Sequence, residues 1–437
     1  MMKTFRRGGI HPPENKLTND CQITELPLPG ELRVMLAQCI GAPPRPTVKP
    51  GDRVACGDRI VEVTAFVSAP VHSPVNGIVK KLEPTRTPQG IWQDSIVIEP
   101  DKENPISYPE PRTKEETDAL SPKEIVEIIG DMGVVGLGGA TFPTRVKLSV
   151  PEGKSVDYLL INGAECEPCL TCDNALMKEH PEEIVEGTLL LMRAAGAEKG
   201  IFGIEENKPD AIKAMKAAVA GKPQLRVVTL KKKYPQGGEK QLIFATTGRI
   251  VPAGGLPIAT GCIVDNVATA YAVYQAVRLR RPLTDRVVTV TGPGLSNPGN
   301  FLVKNGTSLN DILTFAGGLP DDTGKIIAGG PMMGRAISAT DSSATKGLSG
   351  LVVLPHDEAL RKPEGPCIRC ARCVGVCPMG LEPYLLMLQA DVKRWDDMAQ
   401  RGVMNCLECG SCTYICPSNR PLLDMIKLGK QELRKKK

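Results

Sequence analysis

Two runs of cysteine near the C-terminus limit this chain more than any other feature. They read Cys367-x-x-Cys370-x-x-Cys373-x-x-x-Cys377-Pro378 and Cys406-x-x-Cys409-x-x-Cys412-x-x-x-Cys416-Pro417. A 4Fe-4S cube needs four thiolates arriving from different directions, and a tight loop with cysteines at spacing three supplies three of them. The fourth, just before a proline, usually reaches across to the other cube. The pattern predicts one cluster on Cys367, Cys370, Cys373 and Cys416. It predicts a second on Cys406, Cys409, Cys412 and Cys377. Cys-x-x-Cys pairs also bind zinc tetrahedrally. Two complete copies, each closed by Cys-Pro, favour iron and sulfur instead. Two neighbouring cubes make a one-electron wire.

At 437 residues the chain is too long for one ordinary domain; length alone suggests about three. Gly (44) and Pro (38) are abundant, so turns and glycine-rich loops must be frequent. The 15 cysteines are odd in number and eight sit in the two runs; reduced thiols with iron–sulfur clusters favour the cytosol. The opening residues lack the apolar core of a signal peptide. No apolar stretch approaches the length of about eighteen residues that a membrane span needs. A net charge of +5 is mild and gives no reason to expect a nucleic-acid partner. The tail Leu433-Arg434-Lys435-Lys436-Lys437, with Lys427 and Lys430 before it, reads as a solvated basic tail over 426–437. The alternative is contact with anionic lipid, at about 1 kcal/mol per charge near the surface.

Residues 1–40 read as irregular, with Pro12, Pro13, Pro27 and Pro29. A β-rich block follows over 41–112. Short alternating strands are separated there by Pro50-Gly51-Asp52 and Asn76-Gly77 turns. It resembles the barrel-sandwich hybrid of lipoyl and biotinyl carriers. The hairpin around Phe66-Val67-Ser68 has no lysine to modify, so the unit reads as structural or docking, and His72 as a turn residue rather than a ligand. Residues 100–121 read as a linker rich in proline and charge. From 120 to 280 the pattern is α/β: a buried strand at Tyr158-Leu159-Leu160-Ile161-Asn162, then helices over 184–195 and 209–220. Over 284–345 a strand–strand–helix order resembles the SLBB form of the β-grasp fold. The last unit, 358–425, carries the cysteine runs. Between them 382–400 reads as one amphipathic helix with Tyr384, Leu385, Leu388, Val392 and Trp395 on one side. That makes it similar to helical two-cluster ferredoxin domains.

A second chemical site is the loop Gly133-Val134-Val135-Gly136-Leu137-Gly138-Gly139-Ala140-Thr141-Phe142-Pro143-Thr144, followed by Lys147. Small residues let backbone N–H groups approach a phosphate, and a nearby lysine adds a compact charge. Glycine loops alone are weak signals. This one precedes Asn162-Gly163-Ala164-Glu165-Cys166-Glu167-Pro168, which sets an amide and two carboxylates at a strand end, where open α/β sheets bind ligands. The glycine loop resembles GxxGxGGAxFPTxxK, and the acidic loop NADEGEPG, of the flavin- and NADH-binding subunit of respiratory complex I. Tyr234-Pro235-Gln236-Gly237-Gly238-Glu239 resembles that family's CGEE loop. Asp265-Asn266-Val267-Ala268-Thr269 resembles its NNVET segment. Leu137 stands where that loop carries Arg, Ala164 replaces an Asp, and Lys240 replaces the second Glu of CGEE.

With the barrel-sandwich, SLBB and two-cluster parts in this order, nearly the whole chain resembles the RnfC/RsxC family of the Rnf (Rsx) electron-transport complex. That resemblance implies an α/β and β multidomain chain with a Rossmann-like FMN/NADH domain. It implies FMN on Gly136, Gly138, Gly139, Lys147, Asn162, Glu239 and Asn266, with Phe142 and Glu167 beside the nicotinamide nucleotide. It implies two 4Fe-4S clusters and NAD(H) as substrate. The partners would be other Rnf subunits, a ferredoxin-like iron–sulfur subunit and integral membrane subunits among them. The place would be peripheral, on the cytoplasmic face of the cell (inner) membrane. The activity implied is an ion-translocating ferredoxin:NAD+ oxidoreductase, with no catalytic side chain required, because the cofactors do the chemistry. Two other readings use the same parts: a soluble flavin/Fe–S reductase such as a cobalamin reductase, and a docking scaffold that binds no NAD(H). Finally, Cys166, Cys169 and Cys172 form half a motif for a third cluster, with Cys262 as the candidate fourth ligand. The plainer reading is small thiols lining the flavin loop.

Overall fold

A computed structural model describes residues 2–42, 44–104 and 106–436. Four sheets and a helical C-terminal unit pack around one another.

The first unit is a two-sheet β sandwich. One sheet runs Leu32–Met35, Trp92–Pro100, Gly77–Arg86, Arg53–Val54; the other runs Arg45–Pro46, Arg59–Glu62, Val71–His72. Leu32, Val34, Ile60, Val61, Val79, Ile96 and Ile98 fill the space between them. The bend around Phe66 docks on the next domain: Arg145 donates to the Phe66 carbonyl at 3.3 Å and stacks over its ring. His72 is a buried residue of the strand Val71–His72 rather than of a turn.

The second unit is a parallel sheet in the order Leu225–Leu230, Lys199–Glu205, Tyr158–Gly163, Cys262–Asn266. Along Tyr158–Gly163 the side chains alternate as the pleat requires. Leu159 and Ile161 enter the large core with helices Pro122–Asp131, Pro181–Ala195 and Val267–Val277. Leu160 enters a smaller core with Leu242 and Ile243 of helix Glu239–Thr247. Pro181–Ala195 and Val267–Val277 approach closely because Gly187 carries no Cβ; one built there would collide with the Ala270 carbonyl.

The third unit is a six-stranded sheet, ordered Ile23–Glu25, Gly299–Lys304, Asp285–Thr291, Gly350–Pro355, Thr323–Ala328, Arg335–Ala336. The fourth packs helix Pro383–Asp391 against the terminal helix Leu422–Lys435.

Several sequence expectations are corrected here. Residues 1–40 are not irregular throughout. Ile23–Glu25 extends the third unit's sheet and Leu32–Met35 joins the sandwich, each pairing with a strand whose edge is otherwise open. The expected linker ends in a helix, Lys114–Ala119, nucleated by a capping box between Thr113 and Glu116. Beyond the expected SLBB range of 284–345, Gly350–Pro355 joins the same sheet, parallel to Asp285–Thr291. The single helix over 382–400 is two, Pro383–Asp391 and Trp395–Gln400. Lys393 takes a left-handed φ of 56° between them. The buried face is Leu386, Met387 and Ala390, while Leu388 and Val392 face solvent, because the terminal helix packs on the former side. The expected basic tail is the end of Leu422–Lys435. Lys430 within it is buried and donates to the Cys406 carbonyl at 2.8 Å. Among the described residues no helix is long and apolar enough to cross a membrane.

Candidate cofactor sites

The parallel sheet creates a crevice by topology. From Tyr158–Gly163 the chain moves to Lys199–Glu205 and Leu225–Leu230 on one side, then returns to Cys262–Asn266 on the other. Connections thus leave in opposite directions between Tyr158–Gly163 and Cys262–Asn266, and ligands bind outside the C-terminal ends of strands at such a point. Asn162 and Asn266 are paired in register there.

The glycine loop closes over this crevice. Its base is pinned by Gly136 N–H donating to the Phe142 carbonyl at 2.8 Å and by Leu137 N–H donating to Thr269 Oγ1 at 2.9 Å. A Cβ on Gly138 would stand 3.0 Å from the Asn266 side chain, closer than ordinary packing, so glycine suits this approach. Gly138, Gly139 and Ala140 are exposed, and among the described residues no protein acceptor meets their N–H groups. Three successive free donors beside a strand end suit an anionic ligand. The residues present therefore fit a flavin nucleotide.

The other expected flavin residues gather around the same point. Asn266 caps helix Val267–Val277 through Ala268 N–H and donates to Asp173 Oδ2 at 2.7 Å and to the Asn162 carbonyl at 3.3 Å. Asn162 Nδ2 donates to the Gly237 carbonyl at 2.9 Å. Lys147 donates to the Val264 carbonyl at 2.6 Å and to Asp265 Oδ1 at 3.2 Å. Burial opposes its charge, but Asp265 and then Glu239 outweigh burial and hold its pKa above the usual value. Its charge is thus already matched within the protein. Burial raises the pKa of Glu239, against the pull of Lys147.

The acidic loop divides its carboxylates between two tasks. Glu165 caps the helix Cys172–Glu179, accepting from Asp173 N–H at 2.7 Å and Asn174 N–H at 3.3 Å. Glu167 turns to the third unit, accepting from Met332 N–H at 2.9 Å and Met333 N–H at 2.8 Å. Burial raises its pKa to about 7. Phe142 is half-buried on the glycine loop. Lys16 draws the acidic loop together, donating to the carbonyls of Glu165, Glu167 and Leu170.

The three extra cysteines diverge. Cys166 lies with Ile10 and Tyr234, Cys169 packs with Ile327 and Val352, and Cys172 belongs to the large core. Cys262 cannot complete a set with them. It pairs with Tyr158 at the start of that strand, whereas the cysteine loop follows its end. About 3.3 Å per residue over the strand separates the two ends by well over 10 Å. Glu165, Cys172 and Asp173 do cluster, and each Glu165 oxygen also accepts a cap bond of helix Cys172–Glu179.

In the fourth unit Cys377, Cys406, Cys409 and Cys412 line one apolar cavity with Leu381, Pro383 and Ile426. Four thiols on one dry space are the donor set of a cubane. Burial raises the pKa of the Cys373 thiol. Cys367 and Cys370 are exposed.

Two residues gain roles that sequence patterns alone do not assign. The Tyr234 hydroxyl donates to the Cys409 carbonyl at 2.8 Å, and its ring packs with Ile10, Cys409 and Cys166. Asp173 bonds Asn266 on the crevice floor, and burial, then Glu165, lifts its pKa to about 7. The sequence carries no signal for it, because the burial of Cys172 to Met177 around it is set by tertiary packing.

Family models match four segments: an RnfC barrel sandwich hybrid domain (3–103), a Nuo51 FMN-binding domain (129–275), an SLBB domain (287–336) and a 4Fe-4S dicluster domain (359–417). The C subunit of the Na(+)-translocating ferredoxin:NAD(+) oxidoreductase complex of Acetobacterium woodii is 42% identical, across 98% of this chain and 97% of that protein. The chain belongs to the RnfC family. The proton-translocating counterpart of Clostridium ljungdahlii is 43% identical over 89% of this chain and 84% of its own. The C subunit of the ion-translocating oxidoreductase complex of Rhodobacter capsulatus is 40% identical over 98% and 83%. A chain of an NAD+-reducing nickel–iron hydrogenase aligns over 75% of this chain and 66% of its own, with TM-score 0.47 and 19% identity. As a member of the RnfC family, the chain is an electron-transfer subunit of a ferredoxin:NAD+ oxidoreductase, with FMN and two 4Fe-4S clusters as cofactors.

Proposed function

We propose that electrons pass in a fixed order between NAD(H), FMN at the glycine-loop crevice, the cluster of Cys406, Cys409, Cys412 and Cys377, and the cluster of Cys367, Cys370, Cys373 and Cys416. When bound, FMN supplies the exchange between two-electron hydride transfer and one-electron transfer. The chain's own part is to bind, orient and insulate. Gly138, Gly139 and Ala140 present backbone donors, and Gly136 pins the base of their loop; Asn162 and Asn266 fix the crevice floor; Lys147 and Glu239 form its charged wall. Phe142 and Glu167 border the nicotinamide side, Glu167 while anchored to the third unit.

The observation that carries the order is the junction at Tyr234. Its bond to Cys409, within an apolar cluster that also holds Cys166 and Ile10, makes the second cysteine run the inner one. The exposed Cys367 and Cys370 make the first run the outer one, turned toward a ferredoxin-like partner. We further propose a peripheral position on the cytoplasmic face of the membrane, against integral subunits that move the ions.

Freeze-quench EPR of the NADH-reduced full chain tests the order. In Cys367→Ser the inner cluster still reduces. In Cys409→Ser the outer cluster stays oxidised on the same timescale. Reduction of the outer cluster at the wild-type rate in Cys409→Ser would reverse the assignment.

A further inference from the structure

Two buried cations of the third unit reach under the glycine loop. Arg286 lies on the strand Asp285–Thr291, and Lys346 in the turn before Gly350–Pro355. They are only 5% and 1% exposed. Such groups are almost never sealed without a carboxylate partner, yet among the described residues neither makes a salt bridge. Their donors go to backbone carbonyls instead. One Arg286 Nη donates to Leu137 O and the other to Lys346 O, each at 2.7 Å. Lys346 Nζ donates to Gly133 O at 2.7 Å and to Pro70 O of the sandwich at 2.8 Å.

The peptide plane makes the consequence definite. The Leu137 carbonyl and the Gly138 N–H belong to one planar trans peptide and point opposite ways. Anchoring that carbonyl on Arg286 fixes the Gly138 N–H on the solvent side, at the head of the donor row that meets no protein acceptor among the described residues. Donors held in place before a ligand arrives stabilise negative charge without reorganising. The two cations behind the loop act in the same direction.

We propose that Arg286 and Lys346 are positioning residues for the flavin nucleotide. Through the Leu137 carbonyl Arg286 pre-aims the Gly138 donor, Lys346 holds the base of the loop through the Gly133 carbonyl, and together their charges bias the crevice toward the more negative, reduced form of the flavin. The inference rests on the crevice being the FMN site. Arg286 matters for its fork as well as its charge, because the planar guanidinium holds its two donors in a fixed geometry that a flexible lysine ammonium does not.

The test uses the full chain, purified anaerobically with its clusters, stripped of flavin and titrated with FMN by fluorescence quenching. The potential of the rebound flavin is then measured. Arg286→Met is expected to weaken FMN binding roughly tenfold or more and to lower the flavin potential, with iron content and cluster EPR unchanged. Arg286→Lys recovers part of both, and Lys346→Met shifts both in the same direction as Arg286→Met. A purely structural role would lower the melting temperature without moving the potential. Folded Arg286→Met with wild-type affinity and potential overturns the proposal. Should that variant not fold, wild-type values in both Lys346→Met and Arg286→Lys overturn it equally. Wild-type chain that takes up no FMN refutes the flavin reading itself, and this inference with it.

Discussion

Cys377 follows Cys373 in sequence but shares its cavity with Cys406, Cys409 and Cys412. Crossed ligation of this kind is testable by pairing substitutions. Cys377→Ser alone should drop the iron count from about eight to about four per chain. Adding Cys406→Ser should cost nothing more, because both ligands serve one cube. Adding Cys367→Ser instead should remove the remaining iron. Loss of all iron from the Cys377/Cys406 pair would mean that ligation is not crossed. His72 offers a second check. Burial first, then Lys346 and Arg59, lowers its pKa to about 3. Unfolding frees it to take up a proton near pH 6.5. Below that pH the unfolded state binds more protons, so stability falls as pH falls, by up to about 1.4 kcal/mol per unit. His72→Gln lacks that titration. Its melting temperature should therefore gain on wild type as the pH drops from 7 to 5, whatever the two values are at pH 7. A constant gap would contradict the burial argument.

Elements are legible in the sequence where chemistry dictates spacing. The cysteine runs and the glycine loop are short-range patterns, each readable from residues within a dozen positions. What stays hidden is set by partners distant in sequence. Ile23–Glu25 becomes a strand only because Gly299–Lys304 leaves an edge open to it. Glu167 gains a second task, as an anchor to the third unit, only because Met332 and Met333 lie opposite. The break at Lys393 has no local signal, since the helix ends in a Schellman motif without its customary glycine. Arg394 N–H bonds the Gln389 carbonyl and Lys393 N–H the Ala390 carbonyl, at 2.8 and 3.0 Å. A lysine in the left-handed region is strained, so Lys393→Gly should stabilise the fourth unit by about 0.5–1 kcal/mol. Thermal unfolding of the cluster-loaded chain would read this as a higher midpoint. A lower midpoint would argue that 382–400 is continuous after all.

Across the whole molecule, the N-terminal segment ties the flavin unit to the cluster unit. Lys3 bridges to Leu230, Gly9 N–H donates to the Val376 carbonyl beside Cys377, Ile10 pairs with Tyr234, and Lys16 gathers the acidic loop. One strap thus touches the acidic loop and the cluster unit, beside Cys377, together. That arrangement suits a chain whose task is to hold two redox centres at a fixed separation. An anaerobic NADH titration of the purified full chain, after its flavin and iron have been counted, goes straight to that task. About one flavin and about eight irons per chain are expected, with NADH bleaching the flavin band and then reducing the clusters. A chain that stays colourless after reconstitution, or a bound flavin that NADH leaves unbleached, would contradict it.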